Sequence, residues 1–115
     1  MLSKDQIIAS ADRKTKEVEV PEWGGSVLLA EMSAKDRDDY EIALQTFDES
    51  GKAKFNPDNL RSKLVAACIV DENMNRMFTA EELSGKNGKV IDRLFQEATD
   101  LNAIDENAIE DAAKN

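Results

Sequence analysis

Two hydrophobic periods divide the chain. Residues 15–20, Thr-Lys-Glu-Val-Glu-Val, alternate with period two, so Val18 and Val20 face one way and Glu17 and Glu19 the other. Pro21 ends this strand because it has no N–H for the ladder. Ser26–Ala30 reads as a second strand. The two make a β-hairpin over residues 15–31 around a wide Pro21–Gly25 loop, whose paired glycines permit positive φ.

Elsewhere the period is helical. Ser3 caps a short first helix, Lys4 to about Ser10, with Gln6 as its capping-box partner. Leu2, Ile7 and Ile8 line one side, and a helix this short must dock on something to persist. Ser33 caps a helix from Ala34 to about Asp48 whose inner face is Tyr40, Ala43, Leu44 and Phe47. Glu49–Lys54 reads as a loop, with Phe55 pinned to the core. Asp58 caps the most hydrophobic helix, Asn59 to about Val70, with Leu60, Leu64, Val65, Cys68 and Ile69 on its stripe. Thr79-Ala-Glu-Glu82 is a second capping box opening a turn of helix that ends near Gly85. A last strong helix runs from Asn87 to about Asp100 and presents Val90, Ile91, Leu94, Phe95 and Ala98.

These elements predict an α+β fold: a small β-hairpin or short antiparallel sheet packed against three to four main helices. Residues 1–101 form one domain. Residues 102–115 are an acidic tail or a weak helix over Glu106–Ala113. The 115 residues suffice for one modest core. A core so small leaves room for stabilisation as a homo-oligomer.

Charge and composition narrow the function. The chain carries 24 acidic and 15 basic residues, a net charge of −9. That sign opposes nucleic acid and anionic membranes and suits a cation or a basic protein surface. With no histidine, a histidine base and any histidine-containing zinc site are excluded. The single cysteine, Cys68, cannot form an intramolecular disulfide and sits on an apolar face as a buried thiol. No apolar run is long enough to span a bilayer, and Met-Leu-Ser-Lys-Asp lacks a signal-peptide core, so the expected location is intracellular. No glycine-rich phosphate loop is present. The residues therefore predict a non-enzymatic protein without a cofactor.

One stretch offers metal chemistry. Asp71, Asn73, Asn75 and Glu82 occupy positions one, three, five and twelve of a calcium-loop pattern, with Thr79 at nine. Position six, where the chain turns sharply and glycine belongs, is Arg76, a cation beside the would-be site. Only two of those ligands are carboxylates. The related stretch from Asp48 puts Lys52 at position five, which cannot ligate. The same letters also spell an ordinary turn, since Asp and Asn form Asx turns and Thr79 and Glu82 already make a capping box. Ile69–Val70 and Met77–Phe78 then close a tiny hairpin. A calcium-responsive protein-binding module with a degenerate loop at 71–82 is the alternative reading.

Several blocks together carry a resemblance. They are M-L-S-K-D-Q-I-I-A at the start, V-E-V-P-E-W-G-G through Gly25, L-V-A-A-C-I-V-D-E-N from Leu64, R-M-F-T from Arg76, and V-I-D-R-L-F from Val90. This ordered set resembles the small tail assembly chaperones of long-tailed siphophages and their prophages, over about residues 1–101. Where relatives commonly read D-E-x-G-N-R, this chain has Met74 in place of the glycine. The resemblance implies an assembly role in the host cytoplasm: binding the tape measure protein and helping recruit tail tube subunits. It also implies a longer form of the chain made by ribosomal frameshifting, and it brings no catalytic or metal motif. For partner binding, the residues that stand out are Trp23 and Pro21 in the turn, the outward side of the apolar helix at Leu60 and Leu64, and the start of the chain. Trp23 is either a lid on the core or an interface hot spot.

Overall fold

A computed structural model describes residues 1–105; the stretch suggested as a weak helix, Glu106–Ala113, lies outside them. Strand β1 (Thr15–Val20) pairs antiparallel with β2 (Gly25–Ala30), from Thr15 opposite Ala30 to Val20 opposite Gly25. The connection is one turn of 3-10 helix, Pro21–Trp23, closed by Gly24 N–H donating to the Pro21 carbonyl at 3.0 Å. Of the paired glycines only Gly24 takes positive φ, at 79°. Gly25 already belongs to the ladder.

The helices are α1 (Lys4–Ala9), α2 (Ala34–Ala43), α3 (Leu60–Cys68), α4 (Ala80–Ser84) and α5 (Gly88–Leu101). Both expected capping boxes form: Ser3 with Gln6, and Thr79 with Glu82. Three expectations need correction. Helix α2 stops at Ala43 instead of running to Asp48, and Gln45–Phe47 becomes β3, paired with β4 (Ala53–Phe55). A β-branched and an aromatic residue before a tight turn favour a hairpin over another helical turn. Phe47 consequently leaves the core face and is 64% exposed. Helix α3 ends at Cys68, because Ile69 and Val70, both β-branched, form β5 against β2. This makes the main sheet three-stranded, in the order β1-β2-β5. Asp58 does not cap α3. The capping position is Asn59, which is left-handed (φ 52°) and supplies no side-chain bond.

The core sits around α3 and β5. Every residue from Leu64 to Val70 is at most 2% exposed. Helix α3 packs on α5, α4 and α2, and α5 also lies against β1 and β2. Val18, Val20, Leu29, Leu83, Val90 and Leu94 join the same cluster.

One buried polar knot ties these layers. Asn102 Oδ1 accepts the Met32 N–H at 2.8 Å, and its Nδ2 donates to the Ala98 carbonyl at 2.9 Å and to Cys68 Sγ at 3.4 Å. The knot joins the β2–α2 link, α3 and the end of α5. Burial pushes the Cys68 thiol up to about 11, against the opposing hydrogen bond from Asn102, so it stays protonated and unreactive. Just beyond, α5 closes in a Schellman motif: Ala103 N–H donates to Asp100 O at 3.2 Å and Ile104 N–H to Thr99 O at 3.0 Å. Ala103 takes the left-handed position (φ 52°) that glycine usually fills, and Ile104 packs on the core. Asn102 and Ile104 thus engage the folded body past residue 101.

The chain uses one turn design twice. In Asp48-Glu-Ser-Gly-Lys52 and in Asp71-Glu-Asn-Met-Asn75, the aspartate N–H donates to the carbonyl of the fifth residue, at 3.0 and 2.9 Å. The fourth residue's N–H returns to the aspartate carbonyl, at 2.9 and 3.0 Å. The aspartate Oδ1 accepts two further amides in each: Ser50 and Lys52 at 2.9 Å, Asn73 at 2.8 Å and Asn75 at 3.0 Å. Both carboxyls are held below the usual aspartate range, Asp48 first by the Ser50 hydroxyl and Asp71 first by the Asn75 amide. The fourth residue is left-handed in both, at φ 83° for Gly51 and 67° for Met74. This is the three-residue hairpin loop in which a glycine relieves strain.

Replacing Met74 by glycine should therefore stabilise the chain by about 1 kcal/mol, and Gly51→Met should cost about the same. Denaturant melts of the two variants check this; a destabilised Met74→Gly would show that its side-chain packing outweighs the backbone strain. Asn102→Ala strands the buried Met32 N–H and should cost about 2–3 kcal/mol. A loss under about 0.5 kcal/mol, within the range of an ordinary surface change, would show that the knot is not a stabilising element.

Candidate partner-binding surface

The surface is best built from the side chains the core leaves outside. Helix α1 forms because Ser3 Oγ accepts the Gln6 N–H at 3.2 Å and Gln6 Oε1 accepts the Ser3 N–H at 2.8 Å. Nothing in it is buried. Leu2, Ile7 and Ile8 stand 68%, 57% and 72% exposed, so the helix expected to dock finds no dock among the described residues.

Ile42 and Phe47 add a second exposed apolar pair, where α2 leads into the β3–β4 hairpin. Strand β3 is exposed throughout. Reading α2 as one continuous helix hid this pair: it turned Phe47 inward and left Ile42 unassigned. The signal available was the sequence Asp48-Glu-Ser-Gly51, a hairpin turn rather than a helix end. Met77 is exposed as well.

The Pro21–Trp23 turn is clamped to α5. Arg93 Nη2 and Nη1 donate to Glu22 Oε1 and Oε2 at 2.7 and 3.2 Å, and this holds the Glu22 carboxyl below its ordinary range. Trp23 is half-buried against the core, and Pro21 is exposed. The indole closes over the core while keeping an edge to solvent. On α3, Leu60 is half-buried at the mouth of a groove of about 430 Å³. Leu64 is fully buried, so it packs the core and has no surface to offer a partner.

The chelating arrangement of a calcium loop is not assembled. Asp71 Oδ1 is occupied by its own loop amides, and Glu82 Oε1 accepts the Thr79 N–H at 2.9 Å in the capping box. The sharp turn falls at Met74, position four, instead of position six. Asn73 and Asn75 give their backbone N–H groups to Asp71. The Arg76 side chain does not stay beside the loop. Its Nε donates to the Ala66 carbonyl at 3.3 Å and its guanidinium lies 3.9 Å from Asp36. Arg76 instead pairs as a bridge with Val70, so the tiny hairpin forms with a one-residue return. Among the described residues, no cluster of three or more Cys, Asp or Glu side chains is placed to hold a metal.

A second groove, about 290 Å³, lies between α2, α3 and α4, lined by Asp36, Asp39, Tyr40, Lys63, Arg76 and Glu81. Most of its charges are engaged: Asp39 with Lys35, Asp36 with Arg13 and Arg76, and Lys63 with the Ala43 carbonyl. Tyr40 is buried, with its hydroxyl pushed up to about 12 by that burial. The Tyr40 Oη has no hydrogen-bond partner among the described residues. Nothing in this arrangement pairs a nucleophile with a base.

Comparison with known proteins places this architecture. A family model described as "Phage tail assembly chaperone" matches residues 4–115, and the chain belongs to that family. Among solved structures, the tail assembly chaperone of bacteriophage HK97 is similar, with a TM-score of 0.57 and 23% sequence identity over 84% of this chain and 90% of that one. At that identity the likeness speaks to the fold. No functionally curated protein matches the chain.

Proposed function

We propose that this tail assembly chaperone binds the tape measure protein, keeps it soluble and helps recruit tail tube subunits, without catalysing a reaction. The observation that carries the reading is α1: a helix capped at its start, apolar on Leu2, Ile7 and Ile8, with none of its residues buried among the described residues. A long client must be held along apolar area that the chaperone does not need for itself. Ile42, Phe47, Pro21 and the exposed edge of Trp23 extend that area, and Leu60 lies at a groove mouth. The net charge of −9 sets register and speeds encounter with basic stretches of a client.

The proposal includes a longer, frameshifted form of the chain as co-partner, self-association during assembly, and action in the host cytoplasm. No helix among the described residues is long and apolar enough to cross a membrane. Residues 1–101 act as a single α+β domain, followed by residues 102–115 as an acidic tail or a weak helix.

Co-expression with a phage tape measure protein tests the reading. The client should be insoluble alone and recovered as a soluble complex with the chain. Replacing Leu2, Ile7 and Ile8 together by serine should abolish the complex and leave the melting temperature within about 2 °C, since exposed side chains contribute little to stability. A triple variant that binds as well as the parent would remove α1 from the interface.

A further inference from the structure

We infer that the groove at the start of α3 receives a carboxylate side chain, aspartate or glutamate, from a protein partner, which caps this helix in trans. The nine-residue helix has no cap of its own. A side-chain cap needs an extended residue at the capping position. Asn59 is left-handed (φ 52°, ψ 33°), and its side chain makes no bond to the first turn. Asp58 makes none either, and its own N–H is spent on Asn56 Oδ1 at 3.0 Å. Leu60 N–H reaches the Pro57 carbonyl at 3.2 Å and Lys63 N–H the Asn59 carbonyl at 2.8 Å. Between them, the amides of Arg61 and Ser62 have no acceptor among the described residues. Unsatisfied first-turn N–H groups at the positive end of a helix attract an anion.

The independent observation is Ser62. It is only 7% exposed, yet its hydroxyl makes no hydrogen bond among the described residues. It is not sealed in: among the described residues the one closed side-chain polar atom without a partner is Tyr40 Oη. Ser62 lines the groove of about 430 Å³ and belongs to the same first turn as the uncapped amides. A hydroxyl on a nearly buried residue, with no protein partner among the described residues, is free to donate to an acceptor that arrives from outside.

Charge and shape point to a carboxylate on a peptide. Arg61 and Asp92, both in the groove wall, neutralise each other at 2.8 Å, and the Arg61 guanidinium lies over the Phe95 ring. Lys86, also in the wall, has no ion-pair partner among the described residues, which leaves the groove with a positive excess on an otherwise acidic protein. The floor is apolar, from Leu83 and Ile91 with Leu60 at the rim. An acidic side chain carried beside an apolar one satisfies both halves; a free inorganic anion would leave the apolar floor unused. The inference does not depend on which tail protein is the client.

The test is amide chemical-shift titration of the full chain with three probes: doubly blocked aspartate, doubly blocked asparagine and inorganic phosphate. Aspartate should move the Arg61 and Ser62 amides saturably, with at least fivefold tighter binding than asparagine. Ser62→Ala should weaken aspartate binding about tenfold, the loss expected for one hydrogen bond to a charged group. Lys86→Glu should also weaken it, with the melting temperature of both variants unchanged. Equal responses to aspartate and asparagine, or no change at Arg61 and Ser62, would overturn the assignment. Phosphate binding more tightly than aspartate would reduce the groove to an adventitious ion only and overturn it too.

Discussion

The fold depends on complete burial of one short run, Leu64 to Val70. The run changes conformation in its middle, helix to Cys68 and strand from Ile69, without leaving the core. Each large side chain in it is worth roughly 1.5–3 kcal/mol on burial, so no neighbouring element can be spared from covering it. Helix α5 covers α3 and also carries the sheet, α4 adds Leu83, and β5 extends β2 on the side away from β1. Asn102 then fixes how far the end of α5 sits from α3 and from the β2–α2 link. A buried amide with three partners sets that spacing more strictly than apolar contact would.

What the core does not require is left outside: Leu2, Ile7 and Ile8 at α1, and Ile42 and Phe47 around the β3–β4 hairpin. Helix α1 and the β3–β4 hairpin are each closed by local hydrogen bonds, a capping box in the one and an Asx turn in the other. Their apolar residues stay available.

Legibility in the sequence followed the strength of the local code. The period-two run 15–20, both capping boxes and the α5 stripe could be read directly, because each is a short-range rule with one outcome. The end of α2 could not: Tyr40, Ala43, Leu44 and Phe47 fit a helical stripe, and only the turn from Asp48 decides against it. The same turn recurs at Asp71 with Met74 in the glycine's place, which removed the plainest hairpin signal and made a calcium loop readable from the same letters. Ile69 and Val70 looked helical because total burial erases periodicity. Of the surface residues singled out, Trp23, Pro21 and Leu60 reach the surface in whole or part. Leu64 does not, since a helix apolar nearly all round gives no sign of which side is outward. Asn102 was invisible as a core residue, because a polar side chain at a helix end reads as solvent-facing unless its partners are known.

Hydrogen exchange on the chain, free and in complex with the tape measure protein, tests the division between body and periphery most directly. Residues 64–70 and α5 should be the slowest to exchange and unchanged by the client, while α1 gains protection on binding. If the client instead protects the α3 and α5 amides and leaves α1 exchanging as in the free chain, the body is the binding element and the account is wrong.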